Sequence, residues 1–233
     1  ALCGDAASDA IDIEAEDLTI TSRGNISNGN YQARKALRVH TAQNNTISGG
    51  NFSGGTADIT NAGKMSGGVY IAEGDLTYTD SENASLSGSD FTSKEGNVKV
   101  TAKGQLALKK LSAKESATVK ADHDVTLTEA EAGTLAISSD GSVKADTLKA
   151  KTGNASVTAK ADVTIGTLNA KEHAELTSGG VMTLESANAK SLTANAGTTL
   201  DATKIHTAGD AGLASGSDMV LHEVEAGGKL ATG

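Results

Sequence analysis

The chain has 233 residues with two Phe, three Tyr, no Trp and no Pro, so it lacks the bulky side chains that fill a globular core of this size. Its formal charge of −9 argues against nucleic acid or an anionic membrane as main partner. No apolar run approaches the ~18 residues that a membrane-spanning helix needs.

The absence of proline fits a backbone paired on both sides, because proline lacks the N–H that a β-ladder requires. Disorder is the rival reading of a polar, glycine-rich chain. A disordered chain has no reason to keep apolar residues in phase, and this one does.

In chain order, the lone Cys3 excludes an internal disulfide, and no signal peptide is visible. The pattern Ile26-Ser-Asn-Gly-Asn-Tyr31 then recurs as Ile47-Ser-Gly-Gly-Asn-Phe52, Met65-Ser-Gly-Gly-Val-Tyr70 and Leu86-Ser-Gly-Ser-Asp-Phe91. Leu106-Ala-Leu-Lys-Lys-Leu111 is the next member in phase and joins the two halves. One period back from Tyr31 lies Ile11.

From residue 100 onward the beat is carried by aliphatics. Leu108, Leu127, Ala145, Ile165, Leu184, Ala202 and Leu221 follow one another at steps of 18 to 20 residues. A second apolar position always lies three residues later, at Leu111, Ala130, Leu148, Leu168, Ala187, Ile205 and Val224. A third always lies eight residues earlier, at Val100, Val119, Ile137, Val157, Leu176, Ala194 and Leu213. The length variation is confined to short stretches such as residues 114–118. A fixed core with slack at one corner is what a stacked coil requires.

Around each anchor the apolar residues alternate, as in Val143 and Ala145 or Val163 and Ile165, which is the period of a strand. Gly, Asn, Asp and Ser collect between the apolar pairs, where turns belong. The expected fold is an all-β parallel β-helix of about twelve coils, averaging about 19.4 residues, with three short strands each. At ~4.8 Å per coil, the stack would be roughly 55 Å long. Residues 1–233 read as one β-helix segment. Within it, 1–95 are Asn/Gly-rich coils with an aromatic column, and 96–233 are the aliphatic coils. The chain begins and stops within the repeat, which suggests either an excised piece of a longer solenoid or a subunit that stacks end to end.

The candidate functional residues are few. Tyr31, Phe52, Tyr70 and Phe91 share one column, continued by Leu111, Leu148, Leu168 and Ile205. An internal ladder is the favoured reading, because aliphatics have little reason to line an outward sugar-binding stripe. Tyr78 lies off the column and is expected at the surface. With the compact basic cluster of Arg34, Lys35 and Arg38 it forms the candidate surface contact, although a solvated face is the simpler account.

His40, His123, His173, His206 and His222 fall at different phases and suggest no metal centre. The Ser-Gly-Gly-Asn runs lack the Asp that calcium-binding nonapeptide repeats need. No carboxylate pair, Ser/His/Asp group or phosphate loop assembles, so neither catalysis nor a cofactor is expected. Asn25, Asn44, Asn51, Asn83 and Asn154 begin Asn-X-Ser/Thr triplets open to glycosylation. An ice-binding face would need regular Thr, but the outward column reads Ala107, Thr126, Lys144, Thr164, Thr183, Asp201, Val220.

The segments Gly104-Gln-Leu-Ala-Leu-Lys-Lys-Leu-Ser-Ala113, Gly141-Ser-Val-Lys-Ala-Asp-Thr-Leu-Lys-Ala150, Ala161-Asp-Val-Thr-Ile-Gly-Thr-Leu-Asn-Ala170 and Gly180-Val-Met-Thr-Leu-Glu-Ser-Ala-Asn-Ala189 resemble the repeats of filamentous haemagglutinin. That family includes two-partner-secretion adhesins and contact-dependent growth-inhibition exoproteins. The resemblance covers roughly residues 96–233; the earlier coils share only the period. It implies a right-handed β-helical filament, secreted to the bacterial cell surface, that projects adhesive or toxic regions. The implied role is a non-enzymatic shaft whose partner is an unidentified surface receptor or glycan. A self-assembling extracellular fibre subunit and a carbohydrate-binding or carbohydrate-active β-helix are the alternatives. Neither nucleic acid binding nor membrane insertion is expected.

Overall fold

The computed structural model describes residues 12–22, 24–81 and 84–233. Cys3, Ile11 and Asn83 lie outside them. The fold is all-β, with parallel strands stacked as a β-solenoid of about 11 turns of ~19 residues. The residue in register one coil before Tyr31 is Ile13, not the Ile11 that the period of the sequence suggested. No helix among the described residues is long and apolar enough to cross a membrane. Two compact units are distinguished, Ala1–Asp122 and His123–Gly233.

In the first unit the early coils have three separate strands. Ile26–Ser27, Asn30–Ala33 and Ala36–Thr41 lie under Thr46–Ser48, Asn51–Gly54 and Thr56–Asn61, and those under Lys64–Ser66, Val69–Ala72 and Leu76–Asp80. Each strand pairs in parallel with its counterpart one coil away, as in Tyr31 with Phe52 and Ile59 with Tyr78. The corner between the first two strands is what separates them. It places Asn28, Gly29, Gly49, Gly50, Gly67 and Gly68 at positive φ. Glycine enters that region without a Cβ penalty, and asparagine is the side chain that tolerates it best.

From Ser85 onward this corner tightens and the strands on either side fuse. Ser85–Ser93 and Gln105–Ala113 each run through it. The second unit keeps the fused form in Val125–Ala132, Val143–Ala150 and Leu200–Thr207. In Val163–Ser178 and Met182–Ala196 even the next corner is absorbed. Here the first bend is a single residue, the one left out of the register at Asp146, Gly166 and Glu185. The expectation of three short strands per coil therefore holds for the early coils and gives way to longer bent strands later, where the corner keeps at most one positive-φ glycine, Gly88 within Ser85–Ser93.

The interior of each unit is built from inward columns. In the second unit Leu127, Ala145, Ile165, Leu184, Ala202 and Leu221 are register partners. So are Ala130, Leu148, Leu168, Ala187, Ile205 and Val224. Ile137, Val157, Leu176, Ala194 and Leu213 form the third column. Leu148, Leu168 and Ile205 are at most 1% exposed.

Corners are closed by a recurring side-chain clip. An Asp or Asn accepts a hydrogen bond from a backbone N–H one coil further along. Asp17 accepts from Ala36, Asn25 from Thr46, Asp75 from Asn97 and Asn97 from Ser116. Asp124 accepts from Ser142, Asn154 from His173, Asp162 from Val181 and Asp210 from Lys229, all eight at 2.7–3.2 Å. Each clip satisfies a donor that would otherwise open at a turn. The Asn97 bonds hold the Asp75 carboxyl below the usual range.

Candidate functional site

The aromatic column lies inside the first unit. Tyr31 and Phe52 stack at 4.8 Å between centroids and 11° between planes, and Phe52 and Tyr70 at 4.7 Å and 6°. Phe91 turns edge-on to Tyr70, at 5.3 Å and 87°. Such pairs contribute ~0.5–1.5 kcal/mol each beyond the area they bury. Phe52, Tyr70, Phe91 and Leu111 are at most 1% exposed, so no sugar can stack on this column.

The corner glycines explain the recurring Gly-Gly-x-aromatic motif. A Cβ on Gly50 would meet the Phe52 ring at 3.0 Å, and one on Gly68 the Tyr70 ring at 3.1 Å. Each ring folds back over the corner that precedes it. The second glycine thus serves both the turn and the stack.

Tyr78 corrects the sequence expectation. It is fully buried, in register with Ile59 and Val100, and its ring lies 5.4 Å from that of Phe91. Leu76, Tyr78 and Asp80 share the inward face of one strand by simple alternation. Burial is affordable because the Tyr78 hydroxyl accepts a hydrogen bond from Asn61 Nδ2 at 3.0 Å. The glycan contact built on Tyr78 therefore loses its aromatic member. Arg34, Lys35 and Arg38 are exposed as expected. Lys35 pairs with Glu16 at 2.7 Å.

A polar column that sequence reasoning did not anticipate lines one inner corner of the first unit. Thr41, Asn61 and Asp80 are register partners and at most 3% exposed. Asn61 Oδ1 accepts from the Gly63 N–H at 3.0 Å. The Asp80 carboxylate accepts from the backbone N–H groups of Lys103 and Gly104. Burial pushes the Asp80 carboxyl above its ordinary value, against those two bonds.

Among the described residues, the nearest approach to catalytic geometry on the outer faces is His173 Nδ1, 2.9 Å from Ser191 Oγ. Asp210 lines the same shallow groove. The surface order along the stack is Asn154, His173, Ser191, Asp210, because His173 pairs with Ser191 and Leu192 with Ala211. A nucleophilic triad needs the imidazole between the hydroxyl and the carboxylate. Here the serine stands in the middle, and the Asp210 carboxylate is occupied by the Lys229 N–H.

His206 pairs with Glu225 at 3.1 Å, and His40, His123 and His222 are exposed. No cluster of three His, Cys, Asp or Glu that could hold a metal ion occurs among the described residues. The outward Thr126, Lys144, Thr164, Thr183, Asp201 and Val220 are register partners, so charge and a branched apolar side chain do interrupt the threonines. Among the glycosylation triplets, Asn25 and Asn154 are exposed, Asn44 sits at φ 64°, and Asn51 donates to Asn30 at 2.8 Å.

The surface of the second unit carries a shallow furrow of about 690 Å³. Lys149, Asn169 and Asn188 form one wall and Lys151, Lys171 and Lys190 the other, with Ala150, Ala170 and Ala189 as the floor. Glu131 reaches both Lys149 and Lys151, at 3.3 and 2.8 Å, and these lysines hold its carboxyl below the usual range. Glu172 pairs with Lys190 at 2.6 Å. The furrow is written in the sequence as the recurring Lys149-Ala-Lys151, Asn169-Ala-Lys171 and Asn188-Ala-Lys190, a pattern that carries no catalytic signature.

No family model matches the sequence, and neither a curated protein nor a solved structure matches it.

Proposed function

We propose that the chain is a non-enzymatic structural segment, a β-solenoid spacer that holds other regions at a distance. The carrying observation is how the side chains are used. Inward columns fill the core, polar corner residues clip coil to coil, and outer charges pair between neighbouring coils, as Lys94 does with Glu73 at 2.5 Å. Reactive geometry is poor where it comes nearest, at His173 and Ser191. The haemagglutinin-like segments support placing this spacer in a secreted bacterial surface adhesin or exoprotein. A self-assembling fibre is the second assignment of the same fold.

Removal of whole coils tests the reading. Deleting residues 163–199 lets Leu200 take the register place of Val163. The shortened chain should keep its β-sheet circular dichroism and cooperative unfolding, and small-angle scattering should report a maximum dimension smaller by ~10 Å, two strand spacings. Deleting half a coil should abolish folding. Concentration-dependent filaments of the intact chain would favour the fibre assignment. Collapse of the fold on whole-coil deletion would end the spacer reading.

A further inference from the structure

We propose that the lysine furrow of the second unit binds an acidic polysaccharide carrying one carboxylate per sugar ring. This goes beyond the spacer reading and does not depend on it. Lys151, Lys171 and Lys190 each follow one member of the register-paired alanine column Ala150, Ala170 and Ala189. Three like charges on successive coils, with backbones ~4.8 Å apart, repel one another. A spacer has no need of that arrangement, and the chain as a whole is acidic.

The stack is only partly compensated. Glu131 and Glu172 face four ammonium groups, and Lys171 has no ion-pair partner among the described residues. All four lysines are exposed. Exposed pairs of this kind are worth little, so an incoming carboxylate can take over their lysines at small cost.

The chemistry of the walls and floor selects the ligand class. Asn169 and Asn188 offer amide donors and acceptors that suit sugar hydroxyls. The alanine floor leaves a smooth bed between the walls. Single-stranded nucleic acid is typically held by aromatic platforms as well as cations. Every Phe and Tyr of the chain lies before residue 92, outside this unit. A polyuronate supplies both chemistries in one chain, carboxylates for the lysines and hydroxyls for the asparagines.

The test uses the full chain and polygalacturonate oligomers in titration calorimetry at low and high salt. Binding should occur at low salt and weaken as salt screens it. The combined Lys151→Gln, Lys171→Gln and Lys190→Gln variant should lose it, while Lys99→Gln with Lys120→Gln in the first unit should not. Circular dichroism of each variant checks that the fold is retained. Neutral dextran should not bind. Absence of polygalacturonate binding at low salt, or binding unchanged in the folded triple variant, overturns the proposal. Equal affinity for polyglutamate or an oligonucleotide overturns it as well, by showing a surface indifferent to the sugar.

Discussion

Asn61 Nδ2 donates to the Tyr78 hydroxyl at 3.0 Å inside the first unit, while the hydroxyl of Tyr70, equally buried, has no partner. Burial raises the pKa of both phenols, so both remain neutral and able to donate. Opposite outcomes follow for the same substitution. Tyr78→Phe leaves the Asn61 amide only the long bond to the Ser85 carbonyl at 3.5 Å and should cost ~1–3 kcal/mol. Tyr70→Phe removes an unsatisfied hydroxyl while keeping the ring stacked on Phe52, and should be neutral or stabilising. Urea unfolding midpoints of the two variants check the contrast. Equal losses would show that the Asn61 bond carries no weight.

Asp80 gives the first unit an acid response of unusual sign. Its carboxyl is raised by burial, so the folded state binds the proton more readily than the unfolded chain does. The cost of ionising it in the corner is present at neutral pH and relieved as pH falls through its folded pKa toward 3.8. Asp75 is lowered, and its contribution is lost only as pH falls below 3.8. Stability of the first unit should therefore rise on mild acidification before it falls. Asp80→Asn, which has no carboxyl to titrate, should remove the rise. Thermal unfolding across that pH range reads the effect, and a rise that persists in the variant would refute the assignment.

Most of the fold was legible because a solenoid writes its geometry into spacing. Leu127, Ala145 and Ile165 recur in register, and the three inward columns fall where constant offsets place them. Tyr31, Phe52, Tyr70 and Phe91 were equally legible, being the same motif four times. Tyr78 was misplaced because it lies off the aromatic column. Yet alternation from Leu76, and one coil's step from Ile59, both point it inward. The inward Asn61 and Asp80 were not legible. Burying an amide or a carboxyl is costly unless donors are waiting, and those donors are backbone groups of Gly63, Lys103 and Gly104, which no side-chain pattern records. The lysine furrow was written plainly, but as a run of like charges that only the register turns into one wall.

The facing of the second unit can be tested within four residues. Leu168 is fully buried between register partners Leu148 and Ala187, while Thr164 is exposed on the preceding face. Leu168→Asp puts an unpaired charge in the interior and should unfold or fray neighbouring coils at a cost of several kcal/mol. Thr164→Asp should stay within about 0.5 kcal/mol of the parent. Hydrogen exchange would localise the damage, and equal protection loss in both variants would show the strand facing the other way.

The close approach of corners makes a matching pair of glycine tests. A Cβ built on Gly197 would lie 2.0 Å from the Gly179 carbonyl oxygen, one coil away, and 2.5 Å from its carbon. Both neighbours are backbone, so no side chain can swing aside. Gly197→Ala must push two coils apart at the corner where Gly197 N–H donates to the Ser178 carbonyl at 2.8 Å. The expected cost is ~1–3 kcal/mol, the range for inserting a methyl group into a packed site. Gly212 lies mid-strand in Ala211–Ser215, and a Cβ there finds its nearest neighbour, the Leu192 carbonyl oxygen, at 4.0 Å. Gly212→Ala should leave the native strand undisturbed and gain ~0.4–1 kcal/mol by restricting the unfolded chain. Unfolding midpoints of the two variants should therefore move in opposite directions. A shift of the same sign in both would mean that the coils are not held at the spacing on which this corner contact depends.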